Sequence, residues 1–187
     1  MGRIGPQSRF GVVPPELGLP FDPIARAEEL WEQRWGSPGN MAAATSIMRV
    51  QQLLLARFDE VLKPHGLTFA RYEALVLLAF SREGELALGK IGQRLMVHPT
   101  SVTNIVQRLE QQGFVDRRPN PRDGRGALAA LTEAGRDVME RATKDLAGTG
   151  WGLDALGEGG EQVLFRLLRG VRIAAGDFPD DAPVDGN

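Results

Sequence analysis

The stretch from Leu86 to Leu131 constrains this chain more than any other, because its order of residue types permits few arrangements. It reads as a short strand, a helix, a tight turn, a second helix and a β-hairpin. The second helix opens at Pro99 and closes at Gly113, with proline at the first helical position and glycine just past the last. Val102, Val106 and Leu109 recur at spacings of four and three and form one apolar side. Thr100, Ser101, Thr103, Asn104, Gln107 and Arg108 are left for the opposite side and its flanks. Hydroxyls bond phosphates or base edges, Asn and Gln suit adenine, and Arg suits guanine. The hairpin from Val115 to Thr132 carries Arg122, Asp123 and Arg125 at a Pro/Gly-rich tip. Gly124 permits the turn, Arg125 can enter a narrow minor groove, and Asp123 can orient a neighbouring arginine. A helix sized for a major groove beside a basic hairpin is what reading double-stranded DNA requires.

Charge distribution agrees with that expectation although the formal net charge is −2. Between Lys90 and Arg125 seven basic residues face three acidic ones, so this segment is +4 and the remainder −6. A basic patch on an acidic body binds phosphates locally and limits indiscriminate binding. The chain has no cysteine, which excludes disulfides, thiolate metal sites and cysteine nucleophiles. Its only histidines, His65 and His98, cannot form a histidine-rich metal cage, and His98 suits a helix cap better than catalysis. No nucleophile–histidine constellation or phosphate loop is present, so neither an enzyme nor a cofactor is expected. The longest apolar run, Ala74 to Phe80, falls far short of the ~20 residues of a membrane span. A cytoplasmic, nucleoid-associated protein without membrane partners is the expectation.

Around this unit the sequence divides into five parts. Residues 1–20 are rich in Gly and Pro and read as a flexible arm. Residues 21–66 hold two helices: one capped by Asp22 with Pro23 behind it and ended by Gly36, then a longer one from about Met41 to Lys63. In the longer helix Ile47, Val50, Leu54, Phe58 and Val61 form an apolar stripe, and Pro64 to Gly66 end it. Residues 67–132 form the DNA-binding domain: a helix capped by Thr68 and running from Phe69 to about Ser81, a strand at Leu86 to Leu88, a helix from Gly89 to Met96, then the Pro99 helix and hairpin. Residues 133–176 hold two further helices, the first capped by Thr132 with Ala134, Val138, Ala142 and Leu146 every four residues. Residues 177–187 form an acidic tail expected to be disordered. The terminal helices carry apolar faces that a second copy would bury, so they are expected to dimerise. The fold class is mainly α with a small β wing, a winged helix-turn-helix between terminal dimerisation helices.

Several motifs along this order resemble the MarR family of bacterial transcription regulators: Leu67-Thr68, Arg108-Leu109-Glu110 before Gly113-Phe114-Val115, Asp123-Gly124-Arg125, and Leu131-Thr132 before Gly135-Arg136. The resemblance covers roughly Met41 to Leu168. It implies a homodimer that binds a pseudo-palindromic operator, usually as a repressor released by a small ligand. The added N-terminal helix resembles the urate-responsive and aconitate-responsive branch. There a Trp on the added helix, an acid on the helix after Leu-Thr, and arginines near the reading helix and wing line a ligand pocket. Position by position, the resemblance assigns Trp31, Glu73 and Arg117 to that pocket. It departs at Ile105, where the branch has an arginine, and in having Glu for Asp at position 73. The effector it implies is a small organic anion, first a di- or tricarboxylate and alternatively a urate-like molecule. Trp31 and Trp35 lie on one helical face and equally suit plain packing against the next helix. A ligand-independent regulator or architectural DNA-binding protein, and a winged helix used only for protein association, remain the competing readings.

Overall fold

The structure, a computed structural model, describes residues 18–121 and 123–182, with side chains left out at 123–125. Most of the expected arm, the tip residues Arg122, Asp123 and Arg125 as side chains, and the last part of the acidic tail lie outside the described residues. The chain divides into two units, one ending at Thr149 and one beginning at Gly150.

In the first unit, α1 (Pro23–Trp35) is capped as the sequence dictates: the Asp22 carboxylate accepts the Ile24 and Ala25 N–H groups at 2.8 and 3.3 Å. That satisfies amides which the first turn of a helix leaves without partners. Helix α2 (Gly39–Leu62) begins two residues before the expected Met41. One 3-10 turn (Lys63–His65) and the left-handed Gly66 then lead to α3 (Phe69–Ala79). Thr68 sits at the cap position of α3 but does not cap it. The Asp59 carboxylate from α2 accepts the Phe69 N–H at 2.7 Å, leaving the Thr68 hydroxyl to accept from Arg71 at 3.2 Å.

Next come β1 (Glu85–Ala87), α4 (Leu88–Leu95), α5 (Pro99–Gln111), β2 (Val115–Asn120), β3 (Asp123–Leu131) and α6 (Glu133–Gly148). The three strands form an antiparallel sheet in the order β1-β3-β2, with Leu86 opposite Ala129 and Arg117 opposite Ala129 from the other side. An irregularity between Pro119 and Asn120 marks the approach to the hairpin tip. The core joins Leu62, Leu75, Leu78, Ile91, Val102, Val106, Leu109, Val115, Ala142 and Leu146, all essentially inaccessible. It therefore runs from the end of α2 through α3, α4 and α5 to α6, and it holds the helix pair against the sheet. In α6 the inward positions are Gly135, Val138, Met139, Ala142 and Leu146. Ala134, expected inside, is exposed, because the stripe turns through Gly135 and Met139 instead.

The first two turns of the α2 stripe stay outside this core. Ile47, Met48, Val50 and Leu53 are exposed, while Phe58 and Leu62 are buried. In the second unit α7 (Gly160–Ala174) buries no side chain, and Val163, Phe165, Leu167 and Val171 are exposed. The acidic tail is described to Ala182 and, so far, is tied to α7. Arg169 pairs with Asp180 at 2.8 Å, and Arg169 and Arg172 stand over the Phe178 ring at 5.3 and 5.2 Å. No described helix is long and apolar enough to cross a membrane.

Candidate nucleic-acid interface

Helix α5 is built to present one face. The His98 ring accepts the Thr100 N–H at 3.3 Å through Nδ1, and Pro99 follows at a position that needs no amide donor. Behind it, α4 approaches closely at Gly92, where an added Cβ would stand 3.1 Å from Val102 Cγ2 and 3.3 Å from the Val97 carbonyl. Val102, Val106 and Leu109 are buried against the core, which leaves Thr100, Ser101, Thr103, Asn104, Gln107 and Arg108 exposed together. All six candidate reading residues thus share one solvent-facing surface. Thr103 is exposed and donates its hydroxyl proton to the Pro99 carbonyl at 3.1 Å, so the hydroxyl oxygen keeps acceptor capacity. Arg108 donates to Gln111 at 3.2 Å, a surface contact that a phosphate or a guanine edge can replace.

The far end of α5 is fixed by a clamp that sequence reasoning missed. The Gly66 carbonyl accepts from Gln112 Nε2 at 2.9 Å and from Arg71 Nη1 at 3.1 Å, and Arg71 also reaches Gln112 Oε1 at 3.3 Å. One corner between α2 and α3 therefore holds the end of α5. On its other side His65 meets Asp145 of α6 at 2.7 Å. Gly66 has a left-handed backbone, and a Cβ there would crowd Gln112 Nε2 at 3.0 Å.

The wing divides its arginines. Arg118 forms an ion pair with Glu85 across β3, so its charge is shared within the sheet. Arg117 is exposed and has no ion pair among the described residues. Both line a groove of about 830 Å³ between the wing and the helix pair, with Lys90, Gln93, Thr103 and Glu110 on its other walls. A described cation-lined groove therefore abuts the exposed face of α5.

The three residues assigned to a ligand pocket lie on α1, α3 and β2, and no hydrogen bond or ion pair links them among the described residues. Trp31 packs on Trp35 instead, with ring centroids 4.8 Å apart at 59°. Glu73 is half-buried and does not reach Arg117; burial pushes its carboxyl above the ordinary value of 4.5. A carboxyl with a raised folded value costs stability as pH rises through the unfolded value towards the folded one. Glu73→Gln is accordingly expected to raise the thermal midpoint at neutral pH. That advantage should vanish below about pH 4, where both states hold the proton; thermal melts at the two pH values check this.

Relatives agree with this geometry. A MarR family profile matches residues 65–126. An uncharacterized HTH-type transcriptional regulator of Mycobacterium bovis is 34% identical over 99 residues, and the match spans 53% of this chain and 65% of the relative. Among solved structures, a MarR family transcriptional regulator from Streptomyces coelicolor shares 57% identity with a TM-score of 0.71, over 76% of this chain and 99% of that one. Another from the same organism, crystallised in complex with DNA, shares 27% identity with a TM-score of 0.68, over 81% of this chain and 96% of that one. A shared order of helices and wing, and identity above half along nearly the whole of one relative, show that the chain belongs to the MarR family of transcriptional regulators.

Proposed function

We propose that the protein is a DNA-binding transcriptional regulator that reads a pseudo-palindromic operator as a homodimer, as a repressor, and leaves it on binding a small organic anion. The observation that carries the reading is the single exposed face of Thr100, Ser101, Thr103, Asn104, Gln107 and Arg108 beside the cation-lined wing. In that reading Arg125 at the tip of the hairpin enters the neighbouring minor groove, and Asp123 orients a neighbouring arginine such as Arg122. The DNA-bound relative from Streptomyces coelicolor supports the partner. Exposed apolar residues on α2 and α7 suit pairing with a second copy, which sets two reading helices about 34 Å apart. For the effector, a di- or tricarboxylate suits Lys90 and Arg117, two cations of the wing groove without ion pairs among the described residues. Occupying Arg117 removes a cation from the surface that meets phosphate. Trp31 and Glu73, the other two residues that the resemblance assigns to the ligand, do not line that groove.

Selection of duplexes from a random library, followed by gel shifts of the selected sequence, tests the proposal. A two-half-site sequence should emerge, and log Kd should change with log salt at a slope of magnitude about 5. Citrate at millimolar concentration should then weaken the complex at constant ionic strength, and urate serves as the competing arm. Failure to select any sequence would contradict the reading.

A further inference from the structure

Between α4 and α5 the chain turns at Met96 with φ 52° and ψ 38°, a left-handed backbone that costs a side-chain-bearing residue energy and costs glycine none. Only one other non-glycine among the described residues, Trp151, has a positive φ. The turn itself does not call for methionine. Its bonds are backbone ones, from the Val97 N–H to the Gly92 carbonyl at 3.0 Å and from the Met96 N–H to the Gln93 carbonyl at 3.4 Å, and glycine or asparagine would make both. Nor does the core call for it, because Met96 is 79% exposed. A large apolar side chain thus stands in solvent on a strained backbone, two residues before the cap of the reading helix. Strain that serves neither the turn nor the core is the kind that accumulates at functional positions.

Its surroundings indicate what it meets. Met96 lines a shallow groove of about 540 Å³ with Gln93, Val97, Pro99 and Thr103, so it borders the same surface as the first turn of α5. A duplex lying on Thr100 and Thr103 would approach it. Phosphate oxygens offer a thioether nothing, whereas the 5-methyl of thymine and the C–H face of deoxyribose are apolar. Methionine, unbranched and polarizable, adapts to either surface. We propose that Met96 is a DNA-contacting residue that makes an apolar contact with nucleotides at the edge of the major groove. This rests on the reading of α5 as the DNA-reading helix.

The test compares Met96→Gly, Met96→Asn and Met96→Leu on the duplex selected by the unaltered protein. Glycine and asparagine relieve the turn and remove the contact. Their thermal midpoints should equal or exceed that of the parent, while their affinity falls about five- to tenfold with an unchanged salt slope, since no ionic contact is lost. Leucine, which keeps an apolar side chain, should hold affinity within about twofold. Replacing each thymine of the duplex by deoxyuridine separates the two surfaces. A loss in the parent that Met96→Gly does not share assigns the thymine methyl; insensitivity at every position, with the Met96→Gly deficit intact, assigns the sugar. Parent-like affinity in Met96→Gly and Met96→Asn, or an equal loss in Met96→Leu, overturns the proposal while leaving the DNA reading in place. If the unaltered protein selects no duplex, the DNA reading fails and this proposal falls with it.

Discussion

Gly135→Ala is expected to cost about 3 kcal/mol of folding stability, a large effect for one methyl group. Gly135 lies buried in the first turn of α6, where an added Cβ would stand 2.1 Å from the Phe114 carbonyl oxygen and 2.9 Å from Leu131 Cδ1. The nearer obstacle is backbone, so no rotamer change relieves it. That carbonyl also accepts the Thr132 N–H at 3.2 Å. Thr132 in turn donates its hydroxyl to the Gly113 carbonyl at 2.8 Å and accepts the Gly135 N–H at 3.0 Å. Displacing Phe114 therefore strains the end of α5, the root of the wing and the cap of α6 together. Urea unfolding followed by circular dichroism measures the cost; a change below about 0.5 kcal/mol, the range of neutral surface substitutions, would contradict this account of the junction.

Asn104→Ala combined with Gln107→Ala is expected to weaken operator binding about 100-fold while leaving the thermal midpoint unchanged. Both side chains are exposed and neither supports the core, so folding does not depend on them. Each amide can bond an adenine edge through two hydrogen bonds, and a good bidentate contact is worth about 1–3 kcal/mol of discrimination. The two together then give roughly one hundredfold, with reduced preference for A·T at the positions they read. Equilibrium binding to the selected duplex, and renewed selection with the variant, check affinity and preference separately. A variant that binds and selects like its parent would remove α5 from the reading role.

Much of this site was legible because its determinants are local. Pro99, the spacing of Val102, Val106 and Leu109, and Gly113 define α5 within fifteen residues, and Asp22 with Pro23 likewise defines the start of α1. What was not legible depends on partners distant in sequence. The clamp of Gly66, Arg71 and Gln112 joins residues 41 and 46 positions apart, and no local pattern announces it. Thr68 has the composition of a cap, yet Asp59 from the preceding helix takes the amide. Nothing local to Arg118 points to Glu85, which the sheet places across from it from 33 positions away. The resemblance groups Glu73 with Arg117 in one pocket, yet the fold leaves Glu73 half-buried with no ion pair to Arg117. The outer stripe of α2 has the pattern of a buried face but lies exposed, because the core of one chain reaches only its last turns.

Hydroxyl-radical footprinting of the selected duplex tests most directly whether α5 and the wing read DNA as a pair of copies. The account predicts two protected segments on one face of the helix, centred about 10 base pairs apart, each flanked by protection in the adjacent minor groove. A single protected segment, or uniform weak protection that high salt abolishes without revealing a preferred site, would contradict it.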